Sequence, residues 1–158
     1  MAKQSAGILV YRRRSGAIEV FLAHPGGPFW AKKDLGAWSI PKGEFLQDET
    51  PLNAARREFA EEIGQSVDAA DADFIALKPV KQPGHKTIIA FAIEGQIDAD
   101  KVESNLFEME WPPHSGRMQS FPEMDRGGWF GIDEARRRLF KGQLPILEEL
   151  VARLTTSD

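Results

Sequence analysis

Three glutamates, Glu58, Glu61 and Glu62, stand at i, i+3 and i+4 within "AARREFAEEIG" (54–64). On an α-helix that spacing gathers all three side chains on one face. Like charges so placed oppose one another by roughly 0.2–0.5 kcal/mol per pair when solvated. Two readings therefore stand side by side: a solvated acidic face, or carboxylates collected around a cation. Gly43, at the end of the strand-like "AWSIPKGE", and Glu49, just ahead of the helix, bear on the choice. A glycine admits close approach and leaves its carbonyl free to coordinate. Carboxylates and a carbonyl are hard oxygen donors of the kind that hold Mg²⁺ or Mn²⁺, with water and phosphate completing the shell. The chain has no cysteine and no paired-histidine spacing that would compete for zinc.

The helix that must carry these acids is well marked. Thr50 is an N-cap residue, Pro51 suits the first helical position, and Gly64 suits the C-terminal stop. Leu52, Ala55, Phe59 and Ile63 supply an apolar stripe spaced by three or four. Upstream, "GILVY" (7–11) and "IEVFLAH" (18–24) read as strands joined through a Ser15-Gly16 turn. A Gly/Pro-dense loop follows, then the short strand before Pro41. Residues 74–81 and 86–97 read as two further strands around "QPGH". The segment 101–128 reads as irregular, "WPPHSG" interrupting its middle, and a strand-like "GWF" comes next. Residues 132–140 and 145–154 read as closing helices. Strand, helix, strand and helix in this succession predict an α/β fold with helices on the faces of a mixed sheet.

The bulk numbers fit one domain over 1–158 with a sizeable core. A net charge of −4 gives no reason to expect a nucleic-acid polyanion. Disulfides are excluded by the absence of cysteine. The first residues lack the apolar core of a secretory signal, and "IIAFAI" (88–93) is too short to cross a bilayer. A soluble, cytoplasmic chain without membrane partners is the expectation.

Read from Gly43, Glu49 follows after five intervening residues, Arg57-Glu58 after seven more, then Phe59, Glu61-Glu62 and Gly64. This pattern resembles the signature of the Nudix (MutT-like) hydrolases. One position departs from it: Gln65 stands where the family usually has an aliphatic residue. The resemblance implies a Nudix-type α/β/α sandwich with a mixed sheet. It also implies Mg²⁺- or Mn²⁺-dependent hydrolysis of a small nucleoside diphosphate-linked substrate, and related domains often form homodimers. By the same resemblance, Glu58 and Glu62 are the principal metal ligands, Glu61 is a ligand or supports one, and the Gly43 carbonyl is a further ligand. Arg57 is structural, pairing with Glu49, and Gly64 closes the motif. Lys42, Trp38 and Asp125 are assigned to the substrate side, with Lys42 placed to meet phosphate. For a later acid, Asp125 competes with Glu108, Glu110 and Glu123. Trp30, Lys32 and Lys33 offer an aromatic face and charge in the loop before Trp38. The arginine runs at 12–14 and 136–138 read as solvated faces, and no motif claims His24, His85 or His114. Nucleoside or dinucleoside polyphosphates are the expected substrates. ADP-ribose, a nucleotide sugar, or a catalytically silent nucleotide-binding role are the alternatives.

Overall fold

A computed structural model of the chain describes residues 3–46 and 48–156. Its centre is a mixed sheet of β1 (Lys3–Arg14), β2 (Ala17–Pro25), β3 (Lys42–Glu44), β4 (Ile75–Ala76), β5 (Val80–Gln82), β6 (Lys86–Glu94) and β9 (Met124–Gly131). The main path runs β4-β6-β1-β2-β9, with β3 paired to β1 and β5 to β6. Strands β1 and β6 run parallel, Lys3 opposite Lys86 through Tyr11 opposite Glu94. The β1–β2 and β2–β9 pairs are antiparallel.

Alternation along β1 and β2 creates two cores from one sheet. Ile8, Val10, Phe21 and Ala23 face α1 (Pro51–Ile63) and pack with Ala54, Ala55, Phe59 and Ile63. Leu9, Tyr11, Val20 and Leu22 face the other way. They pack with Ala135 of α2 (Ile132–Arg138) and with Ile146, Leu147 and Leu150 of α3 (Leu144–Thr156). The result is an α/β/α sandwich, and its α1 side carries Glu58, Glu61 and Glu62.

Helix α1 begins and ends where its punctuation predicts. Thr50 Oγ1 accepts the Asn53 N–H at 3.2 Å, and Gly64 closes the helix at φ 76°, in the left-handed region that glycine enters freely. Gln65 serves as an anchor: its side-chain amide donates to the carbonyls of Asp98 and Lys101 and accepts the Asp98 N–H. The departure from the aliphatic pattern thus ties the helix end to the 98–101 loop.

The segment 101–128 corrects the sequence expectation. It contains a hairpin, β7 (Leu106–Glu110) and β8 (Met118–Pro122), which forms a two-stranded sheet apart from the main one. Phe107 pairs with Phe121 and Met109 with Gln119. The "WPPHSG" stretch is its tip, where Glu110 accepts the N–H groups of His114 and Gly116. Among the described residues no helix is long and apolar enough to cross a membrane.

Candidate active site

The end of β3 and the outer side of α1 meet at Gly43. A Cβ placed on Gly43 would lie 2.0 Å from Glu58 Oε2, so the missing side chain is the space the carboxylate fills. One residue earlier, the Lys42 backbone N–H donates to Glu62 Oε2 at 3.1 Å. The helix spacing predicted one acidic face; packing against β3 divides it by depth. Glu62 is 6% exposed, the Glu58 side chain 14% and that of Glu61 42%. A uniformly solvated face is therefore ruled out.

Arg57 supplies positive charge to this cluster. Its Nε and Nη2 donate to the two oxygens of Glu49, each at 2.8 Å, a bidentate fork. Its Nη1 donates to Glu58 Oε1 at 2.8 Å and reaches both oxygens of Glu61 at 3.3 Å. One guanidinium thus joins the loop before the helix to two acids of its outer face. The hydrogen bonds from Arg57 hold the Glu49 carboxyl below the usual range, and those to Glu49 and Glu58 raise the guanidinium further. Glu62 behaves oppositely. Burial pushes it up to about 8, with the Lys42 N–H and ammonium opposing and Glu58 and Glu123 reinforcing.

The structure also sorts the remaining candidates. Glu123, in the turn between β8 and β9, is the later acid that shares the field of the helix. Burial, Glu58 and Glu61 all raise it. Asp125 Oδ1 instead lies 2.9 Å from His24 Nδ1, and the other ring nitrogen lies 2.6 Å from the Lys33 carbonyl oxygen. That imidazole is fully buried, so the pair clamps the 26–36 loop to β9. Trp38 is 3% exposed; it donates to Asp34 and packs edge-on against His24 and Phe130, inside the α2/α3 core. Lys42 lies at the cluster through its backbone N–H. Glu110 is occupied at the hairpin tip and Glu108 is exposed on β7. Trp30 packs edge-on against Phe29 and Phe140, with Lys33 Nζ 5.0 Å above its ring. The His24 pairing spans 101 positions, and no local pattern announces it.

Whether these residues suit a divalent cation is a question of donor type and charge. The acids converging beside Gly43 offer carboxylate oxygens, which fit Mg²⁺ or Mn²⁺. Among the described residues no side-chain cation hydrogen-bonds to the buried Glu62 carboxyl, and an added positive charge there would favour its ionised form. As arranged around Arg57, no three or more of the described acids and histidines converge on one metal-sized point. The donor set fits the ion in chemistry. Glu58, Glu62 and the Gly43 carbonyl are the groups that would hold it.

Comparisons with known proteins agree with this architecture. The family model described as "NUDIX domain" matches residues 1–150. Over 68 residues the chain is 43% identical to an RNA pyrophosphohydrolase of Erythrobacter litoralis, a match that spans 40% of each protein. A binary complex of a Caenorhabditis elegans Ap4A hydrolase superposes with a TM-score of 0.67 at 19% identity, covering 98% of both chains. The NUDIX domain of Shewanella oneidensis NrtR, complexed with ADP ribose, superposes with a TM-score of 0.65 at 14% identity, over 98% of this chain and 89% of that one. The two structural likenesses are likenesses of fold. With the family model spanning nearly the whole sequence, the chain belongs to the NUDIX domain family, whose hydrolases act on phosphorus-containing acid anhydrides.

Proposed function

We propose that the chain is a divalent-metal-dependent pyrophosphohydrolase that cleaves the diphosphate linkage of a nucleoside or dinucleoside polyphosphate and releases a nucleotide. The observation that carries this reading is the seating of Glu58 and Glu62 against Gly43 and Lys42, with Glu123 within their electrostatic reach. A diphosphate linkage resists attack by water because it is itself anionic. A bound Mg²⁺ or Mn²⁺ supplies charge neutralisation and a more acidic water. The chain supplies position. Glu58 and Glu62 would hold the ion, while Arg57 keeps the Glu49 loop against the helix and balances Glu61. To Glu123, whose proton affinity is raised by burial and by Glu58 and Glu61, we assign the proton of the attacking water. Lys42 is available to the phosphates from the end of β3.

A small substrate is favoured over an RNA 5′ end by the net charge of −4 and the acidic rim of the site. A second reading, ADP-ribose as substrate, draws its support from the ADP ribose held by the similarly folded NrtR domain. The test is incubation with Mg²⁺ or Mn²⁺ and, in turn, nucleoside triphosphates, dinucleoside polyphosphates, ADP-ribose and nucleotide sugars, with products identified by mass. Metal-dependent release of a nucleotide from the polyphosphates is the expected result. Binding without turnover would replace this reading with a nucleotide-binding domain.

A further inference from the structure

Glu123 sits at the bend where the chain leaves β8 of the separate ribbon and enters β9 of the main sheet. The start of β9 is poorly served by its neighbour in that sheet. Met124 stands opposite Pro25, where the register slips, and a proline has no N–H to give to the ladder. Ser104 supplies what is missing. Its Oγ accepts the Met124 N–H at 3.0 Å, and its own proton is within reach of the Met124 carbonyl at 3.2 Å and the Asn105 carbonyl at 2.9 Å. A hydroxyl can do this because it donates and accepts at one atom.

The segment that carries Ser104 is itself tied to the acidic helix. The Glu103 N–H donates to the Ile63 carbonyl at 2.8 Å and the Asn105 N–H to the Glu61 carbonyl at 3.1 Å. Both are carbonyls that the last turn of α1 leaves without helical partners. Gly64 lets the segment pass, since a Cβ there would lie 2.6 Å from the Glu103 carbonyl oxygen. The Asn105 carbonyl in turn accepts the Glu123 N–H at 2.9 Å, and the Glu123 carbonyl accepts the Gly26 N–H at 2.9 Å. The peptide of Glu123 thus hangs from α1 through residues 103–105, while Glu58 and Glu61 of the same helix act on its carboxyl. Building on the reading that assigns the proton of the attacking water to Glu123, we infer that Ser104 is a positioning residue. Its hydroxyl locks the start of β9 to the segment held by α1, and so fixes where the Glu123 carboxyl stands relative to Glu58 and Glu61.

The test is a double-mutant cycle of Ser104→Ala and Glu123→Gln, with Ser104→Thr as the conservative variant, assayed with Mg²⁺ and ATP or diadenosine tetraphosphate. Ser104→Ala should lower kcat roughly tenfold, with KM and the Mg²⁺ concentration for half-maximal rate within about twofold of wild type. Ser104→Thr should restore kcat, and Ser104→Ala added to Glu123→Gln should cost nothing further. An unchanged kcat in Ser104→Ala, or losses that multiply in the double variant, would overturn the positioning role. Amide hydrogen exchange reads the contact without turnover. Ser104→Ala should speed exchange at Met124 roughly tenfold or more while the amides of α1 keep their rates. Equal exchange at Met124 in the two proteins would overturn the contact, whichever anhydride is cleaved. Should Met124 respond as expected while wild type cleaves no anhydride, the hydrolase reading fails and the positioning role with it, and the contact alone stands.

Discussion

The Glu62 carboxylate and the Lys42 backbone N–H, 3.1 Å apart, join the acidic helix to the strand that ends at it. This contact buries an acid that helical spacing alone would leave in water. Burial makes the ionised form costly, and the sign of the consequence is fixed. A carboxyl raised from 4.5 to about 8 contributes stability that is full below pH 4.5 and is lost as pH rises through 8. Metal-free wild type should therefore lose thermal stability across that window. Glu62→Gln should not, and should melt several degrees above wild type at about pH 9, the difference vanishing near pH 4.5. Differential scanning calorimetry in EDTA over this range decides it; parallel pH profiles for the two proteins would refute the assignment.

Turnover should respond in the opposite sense. On the proposed function, Glu58→Gln or Glu62→Gln should lower kcat about a hundredfold or more while the fold survives, because each would remove a charge assigned to the ion. Near-normal rates in saturating Mg²⁺ would remove these residues from the machinery.

Gly43→Ala separates activity from stability. The added Cβ meets the mobile end of Glu58, so the carboxylate swings away at small cost to the fold. Gly26→Ala meets the Pro122 backbone, which cannot swing, and should destabilise by about 1–3 kcal/mol. Rates and melting temperatures of the two variants should therefore rank in opposite orders.

Arg57→Lys should fail to replace arginine. A lysine ammonium cannot form the fork on Glu49 while also reaching Glu58 and Glu61. The expected outcome is a raised metal requirement, measured as the Mg²⁺ concentration for half-maximal rate. An unchanged requirement would show that the fork does not position the ligands.

Asp125→Asn tests the clamp on His24. Both imidazole nitrogens meet acceptors, so weakening one end should cost about 1–3 kcal/mol of stability. Proteolysis within 26–36 should accelerate. A variant as stable and resistant as wild type would deny the clamp.

The features legible in sequence are those whose chemistry is local. Thr50, Pro51 and Gly64 bound α1 because caps act within a turn, and the shared face of Glu58, Glu61 and Glu62 follows from spacing along one helix, whereas the pairing of Arg57 with Glu49 is what the family resemblance implied. The depth of Glu62 was not legible, since spacing names a face without naming what packs on it. Nor was the β7–β8 hairpin, whose Phe107 and Met109 alternate with outward residues in a segment dominated by its Pro- and Gly-bearing tip. Asp125 could be singled out by type but not by partner, because the imidazole that engages it arrives from a strand far earlier in the chain.

The separateness of the β7–β8 sheet has an evolutionary corollary. Its base is fastened beside the helix, where the Asn105 N–H donates to the Glu61 carbonyl and the Glu123 N–H to the Asn105 carbonyl, while its tip is free of those anchors. Descendants of such a chain could redraft the tip codons of this ribbon while the anchors at its base hold its place beside the helix.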